Sequence, residues 1–223
     1  MNNLDIIHKI NKNLIQEDGS IDNFQTQIID LLSGNFDVTK PMIIDDNSKC
    51  MDYVLKIDKS YPMVMMVSTF IKLQNKHQLT LRMIQRVEKI IKESSLCFES
   101  LTEDESVVFL TEELHSLSGD PFIVTCRFEK KAGVVSVNEI TSMYDKRSIE
   151  NFISSTFNSE KTFYKRKKIE HTSILNRLQL PQELTYALSN NYDKCAFRKS
   201  QVVNDYRLAQ NIDEQTEEVE MEM

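Results

Sequence analysis

The chain has 223 residues, 40% of them hydrophobic and 27% charged, with a formal charge of −7. That size and composition suit a globular domain with appendages and exclude a collagen-like, wholly disordered or disulfide-dense chain. Residues 211–223 carry six acids, Asp213, Glu214, Glu217, Glu218, Glu220 and Glu222, and no base. Taking those six from −7 leaves −1, so the overall charge says little about whether the folded part meets an anion.

The amino-terminal stretch, 1–17, repeats Leu4, Ile7 or Ile6, Ile10 and Leu14 at helical spacing. Residues 23–32 do the same with Phe24, Ile28 and Leu31 or Leu32, and Gly34 ends that helix. Residues 37–49 read as extended chain or loop. Ser68 can cap a short helix through Leu73. Thr80 can cap a longer one carrying the stripe Met83, Ile84, Val87, Ile90 and Ile91. Three β-like runs follow, at 96–98, 106–114 (SVVFLTEEL) and 121–128 (PFIVTCRF). A turn at Gly133 then leads into a fourth, VVSVNEITSMY. A helix begins at Asp145 or Ser148, KTFYKRKKIE is the last β-like run, and SILNRLQL is a short helix ended by Pro181. Helices first, then an antiparallel meander broken by one helix, predict an α+β fold. The expected division is a helical extension over 1–50, a folded domain over 51–188 and a polar, acidic, disordered tail over 189–223.

Cys50, Cys97, Cys126 and Cys195 show no CxxC or CxH spacing. They read as free thiols of a reducing compartment, and no metal site is expected. The start lacks a basic region followed by a long apolar run, and the longest apolar stretch, near 61–67, is far below a membrane span. A cytoplasmic chain without membrane contact is the expectation. Four glycines, Gly19, Gly34, Gly119 and Gly133, make no phosphate loop, so nucleotide-binding folds are nearly excluded and no cofactor is expected.

Three blocks, in this order, resemble the phage MuF C-terminal domain, MuF-C. PMVMMVSTFIKLQNKHQLT resembles the family's apolar strand, short helix and Lys-His pair. SVVFLTEELHSLSGDPFIVTCRFEKKAGVVSVNEITSMYDKRSIENFI resembles its paired strands, its Asn-Glu-Ile-x-Ser-x-Tyr-Gly-Lys signature and the following helix. TFYKRKKIEHTSILNRLQLPQEL resembles its closing strand, basic run and terminal helix. The resemblance spans about 52–185 and implies a toxin domain of phage or mobile-element proteins. The implied fold is the barnase, EndoU, colicin-D and RelE (BECR) nuclease fold, a helical unit followed by a four-stranded antiparallel sheet. It further implies a metal-independent endoribonuclease with RNA as partner, an immunity protein as a candidate partner, and delivery into a target cell or packaging in a phage particle. In the signature, the family's glycine between Tyr and Lys is Asp145 here. Asp tolerates positive φ better than most residues, but its carboxylate opposes a phosphate.

Such ribonucleases need a base for the 2'-hydroxyl, an acid for the leaving oxygen and donors or cations around the phosphorane. His77, titrating near neutrality, is the candidate acid or base. Ser142, Tyr144 and Lys146 share one parity of an extended segment, with Asn138 on that parity and Glu139 on the other, so the trio can face one phosphate. Against these roles stand an exposed loop histidine, a helix-approach serine, a half-buried tyrosine and a solvated lysine, while Asn138 reads as structural. Arg127 at a strand end, and Lys165, Arg166 and Lys167 in the basic run, are the candidate substrate-binding cations. The same basic run also suits a solvated edge strand. The rival function is a catalytically silent module of a mobile-element or phage protein that binds nucleic acid or a protein through the same groove.

Overall fold

The computed structural model describes residues 23–45, 61–94, 96–114, 119–132, 135–165, 175–189 and 192–221. The helix expected over 1–17 lies outside them, as do Cys50, Arg166 and Lys167. In chain order the elements are α1 (Asn23–Leu32), β1 (Met42–Asp45), β2 (Met63–Met65), α2 (Val67–Asn75), α3 (Leu81–Gln85) and α4 (Val87–Lys92). Then come β3 (Leu96–Glu99), β4 (Ser106–Leu114), β5 (Pro121–Ala132), β6 (Val135–Asp145), α5 (Ile149–Asn158) and β7 (Phe163–Lys165). A 3-10 turn (Leu175–Arg177), α6 (Gln182–Leu188), β8 (Ala196–Phe197) and α7 (Lys199–Met221) complete the described chain.

The strands form one eight-stranded sheet in the order β1-β2-β6-β5-β4-β3-β7-β8. β2 and β6 are parallel and the other neighbours antiparallel. Both faces are covered, which explains why β4 and β5 read as continuous apolar runs rather than as clean alternations. Val107 and Phe109 of β4, with Phe122, Val124 and Cys126 of β5, face a core built from α1, α2, α3 and α4 through Phe24, Phe70, Ile84 and Ile91. Val108, Leu110 and Ile123 face the opposite core, filled by Ile153 and Phe157 of α5, Leu184 of α6 and Val202 of α7.

The α+β class holds, but the four-stranded antiparallel sheet is corrected to eight mixed strands. The four strands beyond the central meander, β1, β2, β7 and β8, have two to four residues each, β7 lying within the β-like run KTFYKRKKIE and β2 within the apolar block PMVMM. Runs that short carry almost no periodicity, and their pairing is decided by partners far away in the chain. Residues 23–45 pack in the same core as the strands that follow, since Ile28, Met42 and Ile44 join Met63 and Phe70. The expectation of a disordered stretch from 189 is corrected for residues 192–210. There Phe197 stacks on Phe163 with ring centroids 5.9 Å apart, and Val202 is fully buried. The helical backbone of α7 continues to Met221. No helix of the described residues is long and apolar enough to cross a membrane.

Candidate functional site

The carboxyl-terminal half of β6 carries the site, and a bulge decides which side chains it presents. Ile123 pairs with Tyr144 and Thr125 with Ser142, but Cys126 pairs with Ile140, so Thr141 is an extra residue in β6. Its hydroxyl donates to the Thr125 carbonyl at 3.3 Å. Such an insertion flips the alternation of every residue before it. Ser142 and Tyr144 therefore share the face of Ile123. Asn138, expected on that same parity, falls on the face of Ile140 instead.

Asn138 and Glu139, the polar pair that opens the signature, have structural work. The Asn138 amide donates to the Tyr61 carbonyl (3.4 Å) and its oxygen accepts the Glu129 N–H (3.3 Å), where β5 has a second irregularity and Glu129 takes φ +51°. Glu139, 5% exposed, is ion-paired with Lys130.

His77 is delivered from the other half of the chain. At the end of α2 the Lys72 carbonyl accepts the N–H groups of Lys76 (2.9 Å) and His77 (3.4 Å), and the Leu73 carbonyl accepts that of Leu79 (3.1 Å). Gln78 takes φ +52°, and Thr80 caps α3 by accepting the Met83 N–H at 3.4 Å. This tight turn lays the His77 ring on Tyr144, with centroids 5.4 Å apart and planes inclined by 22°. Nε2 of His77 is enclosed without a hydrogen-bond partner while the residue as a whole is half-buried, so Nδ1 is the nitrogen that meets solvent.

Burial, then the charges of Lys72 and Lys76, hold the His77 pKa below its ordinary 6.5, with Asp145 pulling the other way. The ring is consequently neutral at pH 7. Burial, aided by the Glu103 carboxylate, raises the pKa of Tyr144, which stays a protonated donor.

Beyond Tyr144 the Lys146 N–H donates to the Pro121 carbonyl (2.9 Å), and its ammonium lies 4.5 Å from the centroid of the Phe152 ring. Asp145 is still in β6, paired with Phe122, and has no positive φ. The left-handed residue is Ser148, at φ +51°, immediately before α5. Glycine at position 145 is thus not required by the backbone of this chain.

The four cations expected to bind substrate fare differently. Lys165 is buried and held by backbone carbonyls. It is 2% exposed and donates to the carbonyls of Ser189 and Tyr192, each at 2.6 Å, because β7 is covered by β8 and is no solvated edge. Arg127 lies at the surface, ion-paired with Glu103 at 3.0 Å. Arg166 and Lys167 fall outside the described residues. Two groups near the candidate site were not singled out from the sequence: Lys72, whose charge acts on His77, and the Phe152 ring beneath Lys146. The only signal for Lys72 was its place one helical turn before Lys76.

Cys97, Cys126 and Cys195 are free thiols. Among the described residues no group of three or more His, Cys, Asp or Glu is placed to hold a metal ion. No curated protein and no solved structure matches the chain. Residues 71–171 match the family model described as phage MuF-C-terminal domain. That match covers less than half of the chain and supports a likeness to the phage MuF-C family for the part that holds His77, Arg127, Ser142, Tyr144 and Lys146.

Proposed function

We propose that the chain is a phage or mobile-element toxin domain of the BECR type that cleaves RNA without a metal ion. The observation that carries the reading is the His77 ring stacked on Tyr144 at the end of β6, with burial and nearby lysines favouring its neutral form. His77 would take the proton of a ribose 2'-hydroxyl at Nδ1. The 2'-oxygen would then bond to the adjacent phosphorus as the bond from phosphorus to the 5'-oxygen breaks. Tyr144 would protonate that leaving oxygen, and a proton returned through solvent would reset both groups. Lys146 and Ser142 would hold the phosphorane oxygens. The products would be a 2',3'-cyclic phosphate and a free 5'-hydroxyl.

The test is cleavage of single-stranded RNA by the purified chain in EDTA. The expected result is 2',3'-cyclic ends, no action on DNA, and a loss of about 10²- to 10⁴-fold in rate for His77→Ala. RNA cleavage unchanged in His77→Ala, or cleavage that stops in EDTA, would sink the reading.

A silent nucleic-acid-binding or protein-binding module is the second reading, and three observations favour it. Arg127 is already ion-paired, Lys165 is buried, and Asp145 places a carboxylate next to His77. RNA binding without cleavage between pH 5 and 8 would select it.

A further inference from the structure

Cations on the described surface commonly face carboxylates, as Lys40 does Asp37, Lys89 does Glu93 and Lys130 does Glu139. Lys72 and Lys76 do not. Both are exposed, and among the described residues neither ammonium has an ion pair or a hydrogen bond. They stand at i and i+4 at the end of α2, so their side chains leave the same face of the helix about 6 Å apart along its axis. That is the scale of the step between neighbouring phosphates of an extended strand.

Lysines at a helix carboxyl terminus also offset the negative end of its dipole. Here, however, the carbonyls of Lys72 and Leu73 are already engaged by Lys76, His77 and Leu79. The pair is also near enough to His77 to hold its proton affinity down.

Resting on the nuclease reading above, we propose that Lys72 and Lys76 form a phosphate track that lays single-stranded RNA along α2 and delivers one phosphodiester to His77 and Tyr144. A single strand suits the site for a chemical reason. Attack by a 2'-oxygen needs the leaving oxygen in line behind phosphorus, and a flexible strand reaches that alignment where a duplex backbone is held away from it. Two lysines spaced along a helix contact successive phosphates without reading bases, so the track would favour no sequence. The carboxylate of Asp145 acts on His77 with the opposite sign, which limits affinity at the reacting phosphate and leaves the flanking phosphates to Lys72 and Lys76.

The test is fluorescence anisotropy of the full chain with a single-stranded oligonucleotide carrying 2'-O-methyl groups, which binds but cannot be cleaved by 2'-hydroxyl attack. Affinity is measured from 50 to about 200 mM salt, the range over which phosphate contacts are strongly weakened. The Lys72→Ala/Lys76→Ala variant should bind more weakly, and its slope of log affinity against log salt should be shallower by about 1.4, the loss of two single-strand phosphate contacts. A control, Lys131→Ala/Arg207→Ala, removes the same charge from β5 and α7 and should leave the slope as it is.

An unchanged slope in the Lys72/Lys76 variant, an equal change in the control, or equal affinity for duplex DNA would each overturn the track. The nuclease reading is judged separately, on unmodified RNA. Absence of cleavage there with a shallower slope here would reject the reaction and keep the track, and the reverse would reject the track alone.

Discussion

Two regions of the molecule set a basic group against a tyrosine, and they solve the problem in opposite ways. At the β7–β8 edge the ammonium of Lys165 lies 5.3 Å from the Tyr192 ring and donates to two backbone carbonyls. Tyr192 in turn donates to Asp205 at 3.0 Å, which also holds Lys194 at 2.6 Å. Burial and this acceptor push the Tyr192 hydroxyl far above its usual range. Each of these polar groups has a partner, and the cluster fastens α7 and β8 to the sheet. At the end of β6, by contrast, His77 and Tyr144 touch, yet Nε2 of His77 is enclosed without a partner and two lysines nearby are unpaired. A satisfied buried network rigidifies a fold, whereas unmet polar capacity is what a ligand can use.

The comparison is sharpest for two lysine truncations, because each should fail in the currency of its own region. Lys146→Ala should slow RNA cleavage by about 10²- to 10³-fold, the scale of losing one charge-stabilising donor, with little change in melting temperature. A normal rate with a lowered melting temperature would move Lys146 into the structural class. Lys165→Ala should do the converse. It removes a buried cation and strands two carbonyl acceptors, which costs about 3 kcal/mol of stability in urea unfolding. A loss confined to RNA binding, with stability intact, would restore Lys165 to the interface that its sequence context suggested.

That context misled for a physical reason. The run from Lys161 to Lys168 looks like an edge strand guarded by lysines, and only the pairing of β7 with the two-residue β8 shows that the edge is covered. The long elements were legible: the helix of 23–32, the strands of 106–114 and 121–128, and the stripe of α3 and α4 all follow from spacing and branched or aromatic content. The two-residue β8 was not, because two residues cannot display a period, and β1 read only as extended chain or loop. Nor was the bulge at Thr141, an insertion that leaves no mark in composition but moves Asn138 to the opposite face from Ser142 and Tyr144. The contact of His77 with Tyr144 joins two remote segments, and no local pattern encodes it. Residues 192–210 read as a polar tail because α7 buries little more than Val202 there, too narrow a stripe to stand out.

A smaller effect probes the electrostatics of the open region. Asp145 supports the protonated form of His77, so Asp145→Asn should lower the His77 pKa further and shift the acid limb of the rate profile to lower pH. The same change should appear in stability. His77 binds its proton less readily folded than unfolded, so its contribution is present above 6.5 and is lost as pH falls through the lowered folded value. Asp145→Asn should deepen that acid-side loss when urea midpoints are compared between pH 7.5 and 5. A shift to higher pH would mean that Asp145 does not act on His77 through its charge.

The smallest effect belongs to Arg127, which sits between the two regimes. Its guanidinium reaches the Glu103 carboxylate at 3.0 Å, but both side chains are well exposed, at 37% and 44%. An exposed pair gains little, because water screens the attraction and two long side chains must be held in one geometry. Arg127→Ala should therefore change stability by less than about 1 kcal/mol, and less still in high salt. The substitution also frees Glu103, whose carboxylate acts on Tyr144, so the Tyr144 hydroxyl should titrate at higher pH in the variant. Ultraviolet titration of the tyrosines in Arg127→Ala and in Arg127→Ala/Glu103→Gln checks this. An upward shift in the first that disappears in the second ties Arg127 to the site through Glu103. A drop in RNA affinity without any such shift would instead make Arg127 a direct phosphate contact, released from its ion pair when RNA arrives.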